Sequence, residues 1–309
     1  MAEIWSREYW AEKGRVKLFM FRKRLGAPVP GEAPRPVLFL VHGSSFGTQS
    51  GFDLSVKGQD YSMMNWFARL GFDVWGLDHE GYSRSSRTEG NSDIASGVDD
   101  LRTGMGVVER ETGLAAYMFY GQSSGALRAA AFAQACPERV GRVVLDAFVW
   151  TGRDAPTLIK RRENLEYFRT HNRRPVDRAF FHSIFNRDKP GLSDPAVPDA
   201  LADSELAFGD SVPTGTYLDM CANLPVVDPR KIHCPVLIVR GEHDGIAAEQ
   251  DLLDFFALLP HKDKQFVLLP GQAHVGPLGT NRHRFFHVIH AFLTMPPRRD
   301  AETGSAGGH

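Results

Sequence analysis

The sequence predicts an α/β protein: a mostly parallel, eight-stranded sheet with helices on both faces and a helical block inserted into it. Three observations carry this. Short apolar runs alternate with helical patterns along most of the chain, which is the rhythm of a parallel sheet with crossover helices. Runs such as Val37-Leu38-Phe39-Leu40-Val41 are apolar throughout, as in strands covered on both faces. Between about Thr151 and Arg230 the rhythm stops. Arg- and aromatic-rich helical stretches take over there, separated by breaks such as Lys189-Pro190-Gly191.

The elements follow in order. Glu8 to Phe21 alternates and turns at Lys13-Gly14-Arg15, which reads as a β-hairpin. A proline-rich connector from Pro28 to Pro36 leads into the apolar strand at Val37. Ser62 can cap a helix that runs through Met63, Trp66, Phe67 and Leu70 and stops at Gly71. Phe72 to Leu77 is the next strand, and Asn91 to Thr112 a long helix. Tyr117 to Tyr120, Val140 to Asp146, Pro235 to Gly241 and Gln265 to Leu269 complete the strands. Ser124 to Ala135, Ala248 to Leu259 and Asn281 to Leu293 supply the remaining helices of the sheet layers. The expected division is a core of residues 1–150 and 231–295, a helical cap of residues 151–230, and a small, polar tail of residues 296–309 expected to be disordered.

Composition narrows the functional classes. At 309 residues the chain can bury a substantial core. A net charge of −1 gives no footprint for nucleic acid. No apolar run approaches the length of a membrane span. The amino-terminal residues are charged and aromatic without a signal-peptide core, so the cytoplasm is the expected location. Cys136, Cys221 and Cys234 are too few and too scattered for a disulfide framework or a zinc site. No metal constellation and no strand-linked G-x-G-x-x-G is present, so no cofactor is expected.

The chemistry concentrates in Gly121-Gln122-Ser123-Ser124-Gly125. An apolar strand runs into G-x-S-x-G and an alanine-rich helix follows at once. That context, strand, sharp turn, helix, puts Ser123 at an exposed apex with a helix amino-terminus behind it. A serine hydroxyl is a poor nucleophile at neutral pH and needs a base, which in turn needs an orienting acid. Two late post-strand loops supply both: Gly241-Glu242-His243-Asp244-Gly245 and Gly271-Gln272-Ala273-His274. Asp146 also ends a strand and competes with Asp244 for the acid.

These residues, with Val41-His42-Gly43-Ser44-Ser45 and Asp78-His79-Glu80-Gly81-Tyr82-Ser83-Arg84-Ser85, resemble the α/β-hydrolase superfamily, in the form that carries a helical cap. The resemblance spans essentially the whole chain. It implies that Ser123 is the nucleophile, His274 the general base and then acid, and Asp244 the residue that orients the imidazole. It implies an oxyanion hole made of the backbone N–H groups of Ser44 and Ser124, with Ser45 as the alternative second donor. Removing one such donor typically costs about 2.7–4 kcal/mol of barrier. Members of the superfamily usually carry glycine where this chain has Ser83.

Serine at the apex implies an acyl-enzyme formed on a carbonyl. The expected activity is hydrolysis of a small-molecule carboxylic ester. Carbon–carbon hydrolysis of a ring-fission product, lactone or thioester hydrolysis, and a non-catalytic small-molecule receptor on the same fold are the alternatives. Trp150, Phe148 and Ser45 are the expected substrate-binding residues, with cap aromatics from Tyr167 to Phe185 as further candidates. Arg153 to Lys189 is richer in basic than acidic residues, which suits an anionic substrate such as the monoester of a diacid. Phe46 to Asp60, with three glycines, is a candidate second lid.

Overall fold

The computed structural model describes residues 3–296; all but the first residue of the expected disordered tail lies outside this range. Eight strands form one sheet: β1 (Ile4–Lys13), β2 (Val16–Leu25), β3 (Val37–Val41), β4 (Asp73–Leu77), β5 (Tyr117–Gln122), β6 (Val140–Asp146), β7 (Val236–Gly241) and β8 (Lys264–Leu269). Their spatial order is β1-β2-β4-β3-β5-β6-β7-β8. The β1–β2 hairpin pairs antiparallel, β2 lies antiparallel to β4, and every later neighbour is parallel. The hairpin is longer at both ends than its alternating stretch suggests, because Ile4–Lys13 pairs residue for residue with Val16–Leu25 around Gly14 at φ +60°.

The helices are α1 (Thr48–Phe52), α2 (Met63–Arg69), α3 (Ile94–Thr112), α4 (Ser124–Ala135), α5 (Pro156–Arg162), α6 (Leu165–Thr170), α7 (Arg178–Asn186), α8 (Val197–Leu206), α9 (Gly215–Leu218), α10 (Glu249–Leu258) and α11 (Arg282–Leu293). Their ends have local causes. The Ser62 hydroxyl accepts from the Asn65 N–H at the start of α2, and Asp93 accepts from Ser96 at the start of α3. Asp93 therefore sets the α3 start, a few residues later than Asn91. Gly113 closes α3 in the left-handed conformation that glycine adopts without cost.

β3 shows why the central strands are apolar throughout. Val37, Phe39 and Val41 face a layer that includes Leu101, Met105, Leu127 and Phe132 of α3 and α4. Leu38 and Leu40 face the opposite layer, with Phe67 of α2 and Phe285, Ile289 and Phe292 of α11. A period of two with both faces covered leaves no polar position. A third cluster joins Phe181, Ile184 and Leu201 of the inserted segment to Phe46, Tyr82, Val275 and Leu278, and so seats α7 and α8 over the loops at the carboxyl end of the sheet. Thr151 to Arg230 is not purely helical: Arg173–Pro175 and Ser211–Pro213 pair as a short antiparallel ribbon. No described helix is long and apolar enough to cross a membrane. All three cysteines are buried and unbridged.

One ion pair ties the antiparallel edge to the parallel sheet. Arg22 of β2 meets Asp73 at the start of β4 through two parallel bonds, Nε to Oδ1 at 2.9 Å and Nη2 to Oδ2 at 2.6 Å. Both side chains are almost fully buried, and the guanidinium lies 4.8 Å from the Trp75 ring centroid. A fork-to-fork pair of this kind specifies register more than it stabilises.

This packing sets the expected cost of three substitutions. Asp73→Ala leaves the buried Arg22 guanidinium with only the longer, 3.3 Å ion pair to Glu111 and should destabilise by about 3 kcal/mol, whereas Arg22→Met with Asp73→Leu should recover most of that loss. Urea unfolding of the single and double variants checks it, and equal losses in both would contradict it. A methyl group on Gly125 would lie 2.2 Å from the Val41 carbonyl oxygen and 2.5 Å from that of His42. Gly125→Ala should therefore cost about 3 kcal/mol or more, since backbone has to move. Gly106→Ala in α3, where a methyl group would meet only the end of the Arg110 side chain at 3.8 Å, should gain about 0.5–1 kcal/mol from helix propensity.

Candidate active site

The carboxyl ends of β3, β5, β7 and β8 converge on one point. β5 runs into Ser123, whose backbone sits at φ +57°, ψ −122°, strained for a residue with a side chain. Its N–H donates to the Asp146 carbonyl at 2.9 Å, and its own carbonyl accepts from Ala126 and Leu127 as α4 begins. A side chain at Gly121 would strike the Gly125 carbonyl at 2.4 Å and the Ala126 Cα at 2.7 Å. The two glycines thus let the strand turn into the helix directly under the serine.

Ser123, His274 and Asp244 are brought together. The Ser123 Oγ is 3.1 Å from His274 Nε2, and His274 Nδ1 is 2.9 Å from Asp244 Oδ1. An ionised carboxylate only accepts, so Nδ1 carries the hydrogen and Nε2 presents its lone pair to the serine hydroxyl. Asp244 is buried, which by itself would raise its pKa. The His274 charge and hydrogen bond, with the Ile246 N–H at 3.0 Å, outweigh burial and hold it below the ordinary carboxylate value. Asp146 is placed differently. Its Oδ2 accepts from the Tyr120 hydroxyl at 2.7 Å, and burial, reinforced by the nearby Asp244 charge, pushes its pKa well up.

The oxyanion candidates lie on the other side of Ser123. Ser44 and Ser124 are both buried, and the Ser44 hydroxyl donates to the Ser124 Oγ at 2.7 Å, which locks the β3 loop to the first turn of α4. Neither backbone N–H has a hydrogen-bond partner among the described residues. His42 shapes this loop as a neutral ring: Nδ1–H donates to the Gly43 carbonyl at 2.8 Å and Nε2 accepts from the His79 N–H at 2.9 Å. Burial, then the neighbouring His79 and Arg128 charges, keeps its pKa well below the usual value.

Residues that the sequence did not single out hold the loop from outside. Arg174 donates from Nη2 to the Ser44 carbonyl at 2.9 Å and to Ser45 Oγ at 3.0 Å. Glu205 of α8, 3% exposed, accepts from the Gly47 N–H at 3.1 Å and from the Ser83 hydroxyl at 2.9 Å. Asp78 accepts from the Thr48 N–H at 2.8 Å, and burial together with the Glu205 charge pushes its pKa up to about 7. The Glu205 contact explains Ser83. The residue sits at φ +38°, where glycine is the cheaper choice, and its hydroxyl gains a buried partner that glycine could not offer. The stretch Phe46 to Asp60 is anchored rather than mobile in design: Phe46, Thr48, Ser50, Phe52, Leu54 and Val56 are buried, and Ser50 bonds Ser204 of α8.

A narrow cavity opens over Ser123 and His274. Its walls include Ser45, Phe46, Ile184, Arg161, Arg187 and Tyr217. Ser45 is therefore where a substrate-contacting residue was expected, but Phe148 and Trp150 are not. Phe148 is fully buried against Phe255 of α10, with ring centroids 4.8 Å apart. Trp150 donates from Nε1 to the Val227 carbonyl and lines a separate surface cleft with Gln134 and Arg230. The cause is Asp251 of α10, whose carboxylate accepts from the Trp150 and Thr151 N–H groups and draws the exit of β6 away from Ser123. Phe168, Phe181 and Phe185 are buried in apolar packing and do not line the cavity.

Solved structures share this fold across nearly their whole length. A carboxylesterase of Bacillus subtilis, CesB (YbfK), aligns with a TM-score of 0.66 at 17% identity, covering 94% of this chain and 93% of that one. A thermophilic esterase of Thermogutta terrifontis aligns at 0.64 and 17%, covering 93% and 98%. An E-2-(acetamidomethylene)succinate hydrolase aligns at 0.66 and 18%, covering 93% and 99%. No curated protein sequence matches the chain. The family model described as "Serine aminopeptidase, S33" matches residues 32–275, and by that match, together with the sheet order, the chain belongs to this family of α/β-hydrolases.

Proposed function

We propose that the protein hydrolyses a carboxylic ester through an acyl-enzyme. The observation that carries this is the continuous chain of hydrogen bonds from Ser123 through His274 to Asp244, 3.1 Å and 2.9 Å long, beside two unpartnered backbone N–H groups. His274 Nε2 takes the Ser123 proton as Oγ attacks the ester carbonyl. The negative charge that develops on the carbonyl oxygen falls to the N–H groups of Ser44 and Ser124. The imidazolium is stabilised by Asp244 and returns its proton to the departing alkoxide. Water then enters with the same base and releases the acid.

The elements between β6 and β7 act as a cap in this reading, because α5, α7 and α9 contribute walls to the cavity over Ser123. The family's description names an aminopeptidase, which would have to receive a substrate carrying a free ammonium group. The cavity offers Arg161 and Arg187 to such a group and no aspartate or glutamate side chain among its lining residues. That charge repels an ammonium, and it supports an ester over an amino-terminal peptide.

With p-nitrophenyl esters of rising acyl length, at least one should be turned over, while aminoacyl p-nitroanilides should not be. Turnover of the anilides in place of the esters would overturn the ester reading. Ser123→Ala should lower kcat by at least about a thousandfold with an unchanged urea midpoint. Asp244→Asn should cost roughly 10³–10⁴ in kcat, because the amide favours the wrong imidazole tautomer. Asp146→Asn should stay within about fivefold, because this carboxyl bonds the Tyr120 hydroxyl and not the His274 ring. Steady-state kinetics on the three variants decides the roles, and the reverse ranking of the two aspartates would move the acid to β6.

A further inference from the structure

The inserted segment brings three arginines to the cavity and no carboxylate with them. Arg161 of α5 and Arg187, just past α7, line it beside Ser123 and His274. Arg174 lies immediately behind, on the Ser44 carbonyl and Ser45 Oγ. The Arg161 and Arg174 guanidinium carbons lie 3.7 Å and 4.0 Å from the centroid of the Tyr217 ring, which also lines the cavity.

Only one of the three, Arg187, has a carboxylate within ion-pair distance among the described residues. Arg161 makes one polar side-chain contact among the described residues, to the Met220 sulfur at 3.9 Å. Arg174 has no carboxylate within ion-pair distance among the described residues, and its buried Nε has no partner. Arg187 touches Asp188 only through Nε, at 3.4 Å, which leaves both terminal nitrogens available. Burial pulls the Arg161 pKa down. Burial would raise the Tyr217 hydroxyl, yet the charges of Arg161, Arg174 and Arg187 override it and pull it down to about 8. A buried charge without a partner is strongly unfavourable, and so is a cluster of like charges. Arg22, by contrast, meets Asp73 through two parallel bonds.

The geometry points to a substrate that supplies the missing carboxylate: its carboxylate sits on Arg161, Arg187 and the Tyr217 hydroxyl while its ester carbonyl lies at Ser123. This rests on the ester hydrolase reading and narrows it to short, carboxylate-bearing esters, such as half-esters of dicarboxylic acids. Guanidinium forks suit a carboxylate through two parallel hydrogen bonds. The cavity over Ser123 is narrow and suits a compact molecule.

Labelling rates test it. The full-length protein is treated with a small fluorophosphonate and followed by intact mass, alone or with dicarboxylates from malonate to suberate, or with the matching diamides. At least one dicarboxylate should slow labelling about tenfold at a concentration where its diamide does not. In Arg161→Gln, and separately in the more exposed Arg187→Gln, the ratio of labelling rates without and with that dicarboxylate should fall to near one, with urea midpoints reported for both. Labelling of wild type that no dicarboxylate slows more than its diamide overturns the carboxylate subsite and leaves the ester hydrolase standing. Protection that survives in both variants overturns the assignment to these arginines. Absence of any labelling overturns the ester hydrolase and the subsite together.

Discussion

The structure turns on one close approach of backbone to backbone. Where α4 leaves the turn after β5, Gly125 lies against the carbonyls of Val41 and His42 at a distance that excludes even a methyl group. That contact presses the first turn of a helix onto the end of a strand. It sets the Ser124 N–H beside the loop that carries Ser44, and it lifts Ser123 above both. The left-handed backbone of Ser123 is the cost, held in place by the Asp146 carbonyl on its N–H and by the helix that follows. Glycine at 121 and 125 is therefore a requirement of steric space and not of flexibility.

Around this point the protein uses buried charge to fix loops. Asp78 and Glu205 grip the successive N–H groups of Thr48 and Gly47 from opposite parts of the chain, one from the end of β4 and one from α8. Arg174, in the short ribbon of the inserted segment, holds the Ser44 carbonyl so that its peptide faces one way. The insertion and the oxyanion loop are thus a single hydrogen-bonded unit. The same segment that walls the cavity orients the backbone groups in it, and Glu205 of α8 holds the same loop at Gly47.

Much of this was legible in the sequence, for identifiable reasons. Apolar runs buried on both faces announce strands such as Val37–Val41 directly, and Ser62 and Gly113 mark helix ends by chemistry that acts within four residues. The candidate triad was readable because each member follows a strand, and the carboxyl ends of parallel strands meet. Strand ends alone leave Asp146 beside Asp244; the resemblance favours Asp244, and in the structure Tyr120 occupies Asp146 and His274 occupies Asp244. The pocket was not readable. Phe148 and Trp150 look like wall residues until Asp251, a hundred positions away, is seen to pull their backbone toward α10. Glu205 carries no local signal at all, and Arg161, Arg174 and Arg187 are ordinary members of a basic stretch until the fold sets them around Tyr217. Contacts between residues far apart in sequence decide these cases, and no periodicity encodes them.

The central claim is that the strained turn makes one serine, Ser123, the nucleophile. Peptide mapping by mass spectrometry after reaction with a small fluorophosphonate tests it most directly, because Ser44, Ser45, Ser123 and Ser124 all lie at or beside the same site and carry the same hydroxyl. The account predicts a single adduct on Ser123, absent from Ser123→Ala. An adduct on Ser44, Ser45 or Ser124, or one that persists at unchanged rate in Ser123→Ala, would contradict it.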